Sequence, residues 1–314
     1  MATTLRCLLA AFIAICGLSW SSAAAAWGDA GHRTVCEIAW RNLTPRTQAE
    51  VLRLLAAHPV IPVRAPRNRQ LGWACTYPDN VVTGGPARRA PEHFVNYARS
   101  TVAVDRTSGC GGAPLCVISA IIGDFARLRN TALSDEDRSE ALIYLGHWFG
   151  DIHQPLHSSF RDDQGGNEVN SRGRCTRSLH STWDTCILVQ RIYNDDSSPT
   201  VEGVQAVAAG WSAGVTDLER ASWLSSFPWQ WSAESYEITI RPIVGYCISI
   251  QGSCQYSQSQ MAFIEGRPKT SVLIDDDYMN GAITIIQRRI TQGGVRLAHY
   301  LNFALDPAYR GEAS

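Results

Sequence analysis

Apolar residues recur along most of the chain at spacings of three and four, the pattern of one face of an α-helix. The pattern predicts helices over residues 30–57, 116–133, 139–153, 181–193, 199–221 and 277–305. Thr44-Pro45 is a cap and first-turn signal, and Ser134 with the three acidic residues after it is another. Residues 235–251 alternate in part, which fits either an extended segment or the start of a helix. The predicted architecture is mainly α.

Two polar segments interrupt this pattern. Residues 58–92 contain six prolines, and residues 161–178 are polar and rich in glycine. Long loops of this kind on a helical scaffold usually carry function. No linker or internal repeat divides the chain, so residues 27–314 are predicted to form one domain.

The first 26 residues have the composition of an export signal. One arginine precedes the apolar run CLLAAFIAICGLSW, and small residues precede Trp27. The run is too short for a convincing transmembrane helix, and no later segment approaches the ~20 apolar residues that a span needs. We therefore expect residues 1–26 to be removed and the protein to be exported, to the periplasm or the medium. A lipoprotein cleaved before Cys16 is the weaker alternative.

Charge and cysteine content narrow the picture. The formal net charge of -1 gives no overall basic signature of nucleic-acid binding, so any phosphate affinity must be local. Eight cysteines follow the signal, an even number that favours disulfides in an exported chain. The pairs close in sequence are Cys110/Cys116, Cys175/Cys186 and Cys247/Cys254, which would leave Cys36 with Cys75. Other pairings stay open, and zinc thiolates are a weaker alternative because no CxxC occurs.

Ligand-type side chains concentrate in LGHWFGDIHQPLH, residues 145–157. His147 and Asp151 are four residues apart, so a helix projects both from one face. The same spacing recurs downstream between His180 and Asp184. Each pair alone is more often a satisfied histidine or a surface contact. Two such pairs in one chain favour metal binding.

A mature terminus at Trp27 would add ligands. In WGDAGH a free α-amine and its own carbonyl form a five-membered chelate, and His32 lies five residues on. The amine has an ordinary pKa of about 7.7–8.0, so zinc displaces its proton near neutrality. Asp79 in YPDN and His93 in PEHFVNY are further candidates, with a turn residue and a core histidine as the ordinary explanations. His153 is expected in the core or beside the ligands.

The order of these motifs resembles a known family. WGxxGH, an aspartate in the first long loop, HF, HxxxDxHQPLH, GGN and LHxxWD follow one another as in the trinuclear zinc nucleases, the nuclease S-one/P-one family of fungi, plants and bacteria. The motifs run from Trp27 to Asp184. The combined set is highly specific although no single motif is. The resemblance implies a single-domain, multi-helix fold of the phospholipase C/nuclease type, with long loops and little β structure.

The resemblance implies three zinc ions with nitrogen and oxygen ligands. Carried over residue by residue, the first ion takes Asp79, His93, His147 and Asp151, the second takes the Trp27 amine and carbonyl, His32 and the other oxygen of Asp151, and the third takes His157, His180 and Asp184. Asp151 would bridge two ions that together activate the attacking water. The sequence leaves open whether Ca²⁺ or Mg²⁺ replaces zinc at any site.

The implied activity is hydrolysis of P–O3′ bonds in RNA and single-stranded DNA to 5′-phosphorylated products, with 3′-mononucleotides as further substrates. Phe94 matches an aromatic platform for a base, a contact worth roughly 1–3 kcal/mol. Asn96 stands where many relatives have aspartate, and an amide both donates and accepts hydrogen bonds. Asn167, in GGN, matches a position near the metals. Val82 stands where some relatives have a basic contact to phosphate.

Other arginines and the tryptophans have two interpretations each. The arginines of the first long loop either contact phosphate bidentately or keep that loop solvated, and the second is favoured for any one of them: Arg64, Arg67, Arg69, Arg88 and Arg89. Large aromatics mostly pack, so three tryptophans are expected in the core rather than at the substrate: Trp223, Trp229 and Trp231.

Two other functions compete with a nuclease. A zinc phospholipase C on the same scaffold shares the N-terminal tryptophan and most ligands, but its last ligand is glutamate where this chain has Asp184. HFVNY and LHSTWD also favour the nuclease. A non-catalytic metal-binding protein does not account for a bridging aspartate with open ligand positions. We expect a monomer with no protein partner, while strand and base preferences are left open by the sequence.

Overall fold

The computed structural model describes residues 27–61, 71–79, 89–245, 248–250, 253–255 and 271–311. The predicted signal, residues 1–26, lies outside the described residues. Helices dominate the described part, which confirms the mainly α prediction. None of its helices is long and apolar enough to cross a membrane.

The helices are, in chain order, α1 (Asp29–Arg41), α2 (Pro45–Ala57), α3 (Leu71–Ala74), α4 (Val117–Arg129), α5 (Asp135–Asp151), α6 (Leu179–Ser181), α7 (Ile187–Ile192), α8 (Val201–Ala213), α9 (Asp217–Leu224), α10 (Pro228–Thr239) and α11 (Asp276–Leu305). A π-helical turn, Thr182–Cys186, joins α6 to α7. Short 3-10 turns include Ala90–Glu92 and Pro155–His157.

The predicted helices exist, the cap predicted at Thr44-Pro45 is confirmed, and the segment 199–221 is divided. The segment 30–57 breaks at Thr44, whose hydroxyl accepts the N–H of Thr47 at 3.1 Å and so caps α2. The segment 199–221 breaks at Thr216, which forms a capping box with Glu219 at the start of α9. Helix α10 lies mostly outside the predicted helices because its buried face carries the polar residues Ser232, Ser235 and Thr239, so apolar residues do not mark that face in the sequence.

Strands are short and occur in pairs. They are β1 (Val95–Tyr97), β2 (Ser158–Phe160), β3 (Ser171–Gly173), β4 (Ile248–Ile250), β5 (Ser253–Gln255) and β6 (Val272–Ile274). The pairs β1–β2 and β3–β6 are parallel, and β4–β5 is antiparallel. In the first pair Val95 lies opposite Ser158. His157 directly precedes β2 and His93 lies two residues before β1, and the Nδ1 of His157 lies 2.7 Å from the carbonyl oxygen of His93.

The core is built around α5 and α11. Every residue of α5 from Ala141 to Asp151 is buried, so this helix is surrounded on all sides. The 30-residue α11 packs across α1 and α5. A Cβ on Gly294 of α11 would lie 2.5 Å from the Cβ of Ile38 in α1, so the two helices approach through a glycine. This frame fixes α5 relative to α1.

Three disulfides confirm part of the predicted pairing. Their S–S distances are 2.03 Å for Cys36–Cys75, 2.04 Å for Cys110–Cys116 and 2.07 Å for Cys175–Cys186. The zinc-thiolate alternative is therefore wrong for these six cysteines. The fourth pair, Cys247/Cys254, lies outside the side chains that the structure describes. The first disulfide ties α1 to the segment that leads to Asp79.

Candidate metal centre

Helix α5 carries the centre of a buried histidine and aspartate cluster. His147 and Asp151 lie one turn apart on α5, and both are fully buried. The Nε2 of His147 lies 3.4 Å from Oδ2 of Asp151 and 3.4 Å from Oδ1 of Asp79. The Nδ1 of His93 lies 3.1 Å from the same Asp151 oxygen. Four side chains from three parts of the chain thus converge on one point.

The second oxygen of Asp151 faces another way. Its Oδ1 lies 3.4 Å from Nε2 of His32, which comes from α1. The Oδ2 of Asp79 also lies 3.7 Å from that nitrogen. Both aspartates therefore have one oxygen toward the His93/His147 side and one toward His32. This two-sided arrangement can hold two neighbouring cations.

A second cluster combines His157, from the turn after α5, with His180 of α6 and Asp184 of the π-helical turn. His180 Nε2 lies 3.3 Å from Oδ2 of Asp184, and His157 Nε2 lies 3.8 Å from Oδ1 of the same carboxylate. All three residues are at most 3% exposed. His180 of α6 and Asp184 of the π-helical turn thus form the predicted i,i+4 pair. The 3-10 turn Pro155–His157 directs His157 toward them.

The unpaired polar atoms in these clusters fit a metal ion. Neither oxygen of Asp79 or Asp151 and neither ring nitrogen of His32 has a hydrogen-bond partner among the described residues, although all are buried. Burying a carboxylate without a partner costs several kcal/mol, on the order of the desolvation penalty for a charge. Histidine and aspartate are ligands that zinc accepts. A divalent cation therefore satisfies atoms that the protein itself leaves unsatisfied.

The histidine rings are oriented by backbone carbonyls. The Nδ1 atoms of His147, His157 and His180 each lie 2.7 Å from a carbonyl oxygen, that of Cys75, His93 and Gly165 respectively. An N–H at Nδ1 leaves Nε2 with a free lone pair, the usual arrangement of a metal-binding histidine.

Two such lone pairs face each other. The Nε2 atoms of His157 and His180 are 3.1 Å apart, and a Nε2–Nδ1 pair of His147 and His93 is also 3.1 Å apart. Two acceptors at this distance repel unless a proton or a cation lies between them. Zinc–nitrogen bonds of about 2.0–2.1 Å in tetrahedral geometry put two nitrogens about 3.3 Å apart. The observed spacing matches that of a shared ion.

Burial favours the uncharged form of the groups in these clusters and shifts their pKa values accordingly. It lowers the pKa of His32 and His157 well below the usual value and that of His180 to about 4, so these rings are neutral ligands. Burial also raises the pKa of the carboxyl groups of Asp151 and Asp184 well above the usual range. A cation beside these carboxylates offsets the cost of their charge.

Trp27 lies against both clusters. Its side chain is fully buried, and its carbonyl accepts the N–H of His32 at 3.3 Å. The next residue, Gly28, donates its N–H to the carbonyl of Asp184 at 2.9 Å. A Cβ on Gly31 would lie 2.5 Å from the Cβ of Trp27, which accounts for the second glycine of WGxxGH. The main chain at Trp27 is thus held between His32 and Asp184.

The residues predicted to contact substrate or to support the metal centre differ in exposure and in hydrogen bonding. Phe94 follows His93 and is 39% exposed, so its ring is available to a ligand. The Oδ1 of Asn96 is buried without a hydrogen-bond partner among the described residues. Asn167 bonds the carbonyl of Gln164 and the hydroxyl of Ser178, which caps the turn that carries His180. Asn167 therefore reaches the cluster only indirectly, through Ser178.

The predictions for the arginines of the first long loop and for the three tryptophans are confirmed only in part. Arg89 donates to Glu92 and, at 2.7 Å, to Asp124, so it is neither a solvated loop residue nor a free phosphate contact. Arg64, Arg67, Arg69 and Arg88, together with Val82, lie outside the described residues. Trp223 and Trp231 are buried as predicted, whereas Trp229 is only half-buried.

Two residues that the sequence did not single out support the candidate ligands. The carboxylate of Asp124 accepts the indole N–H of Trp148 at 2.8 Å, and the Trp148 ring packs edge-on against His93 with centroids 4.8 Å apart. Gln154 donates to Asp184 and accepts the N–H of Leu156. The position of Gln154 inside HQPLH was a usable signal. Asp124, on a different helix, gave none. His153, in contrast, bonds the carbonyl of Phe149 and Arg296 and points away from the cluster.

A buried, two-sided set of histidine and aspartate ligands in a mainly helical domain is typical of a metal-dependent hydrolase. Comparison with known proteins gives the family. The model described as S1/P1 Nuclease matches residues 27–306, and the chain therefore belongs to the S1/P1 nuclease family. Members of this family are metal-dependent hydrolases of phosphodiester bonds, so the phospholipase C alternative is not favoured.

Individual relatives agree with this assignment. The chain is similar to Endonuclease 4 of Arabidopsis thaliana, with 30% identity over 301 residues that cover 91% of this chain and 92% of the relative. It is similar to Nuclease P1 of Penicillium citrinum, with 23% identity over 289 residues that cover 88% and 97%. Nuclease S1 of Aspergillus oryzae shares 32% identity over 167 residues, which cover 51% and 53%.

Proposed function

We propose that this chain is an exported endonuclease that hydrolyses P–O3′ bonds in RNA and single-stranded DNA and leaves 5′-phosphorylated products. It would also dephosphorylate 3′-mononucleotides, because the same bond is broken. The observation that carries the proposal is the two-sided position of Asp151, with one oxygen toward His93 and His147 and the other toward His32.

The centre would hold three zinc ions. The first would be held by Asp79, His93, His147 and Asp151, the second by His32, Asp151 and the amine and carbonyl of Trp27, and the third by His157, His180 and Asp184. When bound, zinc lowers the pKa of water toward neutrality and polarises phosphoryl oxygens. The neutral histidine rings and the buried carboxylate oxygens without hydrogen-bond partners among the described residues support this donor set, as does the family's dependence on metal.

The remaining residues orient the substrate. Phe94 offers an exposed ring on which a base can stack, next to ligand His93. Asn96 lies two residues on, and its buried carbonyl oxygen can accept a hydrogen bond from a base. Asn167 holds the loop that carries Gly165, whose carbonyl fixes the His180 ring. Stacking and hydrogen bonding to a base would thus place the substrate, and the residues that hold the metal ions would promote cleavage.

Removal of residues 1–26 completes the proposed site. Cleavage before Trp27 would free the α-amine, and the family match also begins at this residue. Disulfides in the described part of the chain are compatible with an oxidising compartment outside the cytoplasm. The mature chain, residues 27–314, would act as one domain and as a monomer.

The first experiment is a comparison of substrates. Mature protein loaded with zinc would be given single-stranded RNA, a 3′-mononucleotide and phosphatidylcholine in parallel, with and without chelator, and the products separated by chromatography. We expect 5′-mononucleotides from RNA and a nucleoside with phosphate from the 3′-mononucleotide, both abolished by chelator. Release of phosphocholine without nucleotides would overturn the proposal, and 3′-phosphorylated RNA products would refute the assigned bond.

A further inference from the structure

A turn of two glycines packs between His180 and the segment that carries His157. Gly165 and Gly166 have φ angles of 66° and 82°, in the left-handed region that suits glycine. A Cβ on Gly165 would lie 2.8 Å from the carbonyl oxygen of Leu156 and 3.3 Å from Nδ1 of His180. Leu156 directly precedes His157. The turn therefore has to lack side chains in order to fit beside these two candidate ligands.

The same turn binds His180 through its main chain. The carbonyl oxygen of Gly165 lies 2.7 Å from Nδ1 of His180, and the carbonyl of Gly166 accepts the backbone N–H of His180 at 3.3 Å. A carbonyl accepts only from a protonated nitrogen, so the ring carries its proton at Nδ1 and presents Nε2 toward Asp184. The place of the glycine turn therefore sets both the position and the tautomer of this candidate ligand.

Asp163 holds the glycine turn. Its side chain is fully buried, and its Oδ1 accepts the backbone N–H of Gly166 at 2.9 Å. Its backbone carbonyl accepts the N–H of Gly166 at 3.1 Å and that of Glu168 at 3.2 Å. Glycine has more conformational freedom to lose than any other residue, so a turn built on two glycines depends on such bonds to keep one conformation.

Arg99 pairs with the other oxygen of the Asp163 carboxylate. Its Nη2 donates to Oδ2 of Asp163 at 2.6 Å, whereas Gly166 donates to Oδ1. The Arg99 guanidinium lies over the ring of Phe160, 3.8 Å from its centroid, and also donates to Asp162 at 2.8 Å. A buried carboxylate is costly unless it is paired and hydrogen-bonded, and Asp163 meets both conditions. Its carboxylate is therefore fixed between Arg99 and the glycine turn.

We propose that Asp163 is a positioning residue that orients His180 for the ion of the second cluster. Both of its oxygens are engaged by Arg99 and Gly166, so it acts through the turn rather than as a ligand. Groups that hold the ring nitrogen opposite a metal typically change metal affinity or activity by roughly 10–100-fold when they are replaced. We expect an effect of this order for Asp163. The presence of the ion rests on the proposed function, whereas the chain of hydrogen bonds does not.

The test compares zinc affinities in two neighbouring variants. Mature protein loaded with zinc would be titrated with a competing chelator, and the zinc that remains bound would be counted. In Asp163→Ala one ion should bind at least tenfold less tightly, while the other two keep wild-type affinity. Asp162→Ala is the matched control, because Asp162 also accepts from Arg99 but has no hydrogen bond to the glycine turn within the described part of the chain. It should hold all three ions as the wild type does.

Asp163→Asn covers the case in which Asp163→Ala does not fold. It keeps the shape of the side chain and an acceptor for Gly166, but its amide N–H groups face Arg99, so the same single ion should be weakened. Nitrogen–proton correlation NMR of the histidine rings gives a second measurement, with the His180 signal identified by its absence in His180→Asn. The proton should stay at Nδ1 of His180 in the wild type and in Asp162→Ala, and should be lost from that nitrogen or exchange faster in the Asp163 variants.

Two results would overturn the inference. One is unchanged affinity of all three ions in both Asp163 variants, and the other is equal weakening of all three, which a general loss of stability would produce. A wild-type protein that binds zinc in the expected pattern but releases no 5′-nucleotides from RNA would count against the proposed function alone.

Discussion

Asp151 shows how a single side chain organises the site. One oxygen lies 3.1 Å from His93 and the other 3.4 Å from His32, so its carboxylate lies between histidine side chains that come from different parts of the chain. The carboxylate is fully buried and lacks a hydrogen-bond partner among the described residues, which makes a bridging cation the natural counter-charge.

The first prediction concerns this bridge. Asp151→Asn removes the negative charge and one acceptor, so the two neighbouring ions should be lost together while the ion at His157, His180 and Asp184 is retained. Zinc per protein, measured by elemental analysis after dialysis, should fall from three to one, and nuclease activity should fall at least 100-fold. Asp105→Asn, at an exposed capping position, is the control and should keep all three ions. Full zinc content with activity in Asp151→Asn would contradict the bridging role.

The second prediction concerns the proposed amine ligand at Trp27. A protein with one additional residue before Trp27 keeps every side chain but replaces the amine by an amide nitrogen, which is a poor ligand. Activity should fall at least tenfold, with one zinc ion bound less tightly. Enzymatic removal of the additional residue should restore both. Wild-type rates from the extended chain would exclude the amine as a ligand.

At the scale of elements, a glycine of α5 leaves room for a histidine of α1 beside the candidate metal centre. A Cβ on Gly150 would lie 2.6 Å from Nδ1 and 2.7 Å from Cε1 of His32, too close for the ring to stay. The ring of His32 also stacks on that of His147, with centroids 3.8 Å apart. The position of His32 thus depends on the absence of a side chain on the neighbouring helix.

The third prediction follows from this contact. Gly150→Ala should displace His32, lower zinc content by one ion and reduce activity at least tenfold. Gly123→Ala is the matched control, because a Cβ at Gly123 of α4 meets nothing within 4 Å. That control should keep its zinc and gain up to ~1 kcal/mol of stability from helix propensity. Equal zinc content in the two variants would show that the His32 ring is not fixed by Gly150.

Helices α10 and α11 are joined by a buried ionic network. Glu234 of α10 accepts hydrogen bonds from Arg289 and Arg296 of α11, and Arg296 also donates to His153 at 2.8 Å. Burial raises the pKa of Glu234, but the bonds and charges of the two arginines outweigh it and hold that pKa at about 2. Through bonds from both arginines to His153, the network holds the chain two residues after α5 ends.

The fourth prediction is a pH dependence of this network. Because the pKa of Glu234 is lower in the folded state than its ordinary 4.5, its stabilising contribution is complete above pH ~4.5 and is lost as the pH falls toward 2. Glu234→Gln should therefore be less stable than the wild type at neutral pH, with a difference that shrinks below pH ~4.5. Glu237→Gln, exposed on the same helix, is the control for chemical denaturation. A difference independent of pH would contradict the assignment.

At the scale of the whole molecule, disulfides secure segments that the helices do not. Cys36–Cys75 closes 39 residues and ties α1 to the segment that carries Asp79, whereas Cys110–Cys116 closes six. Loop-closure entropy gives about 4 kcal/mol for the longer loop and about 2 kcal/mol for the shorter one. The longer bridge is therefore the larger contribution, and it also limits how far Asp79 moves from His32.

The fifth prediction compares these two bridges. The double variant Cys36→Ala/Cys75→Ala should lose about 4 kcal/mol of unfolding free energy in urea and bind its weakest zinc ion at least tenfold less tightly. Cys110→Ala/Cys116→Ala should lose about 2 kcal/mol. A greater loss in the second variant would show that loop length does not decide the effect, and unchanged zinc affinity in the first would separate Asp79 from this bridge.

The sequence by itself determined the local features. The helical spacing of apolar residues and the capping residues predicted most helices, because both are properties of short segments. The caps at Thr44 and Ser134 are examples. The i,i+4 spacing placed His147 with Asp151 and His180 with Asp184 for the same reason. Helix α10 was not predicted because Ser232, Ser235 and Thr239 lie on its buried face, so the apolar residues alone show no helical period.

Only the tertiary structure decided which segments meet. The parallel pair of β1 and β2 sets His93 beside His157, and the approach of α1 to α5 through Gly150 sets His32 beside Asp151. The contact of Asp124 with Trp148 likewise depends on how α4 packs against α5. Such contacts arise when the apolar face of one helix or strand packs on that of another. A single sequence shows which residues form each face but not which two faces pack together.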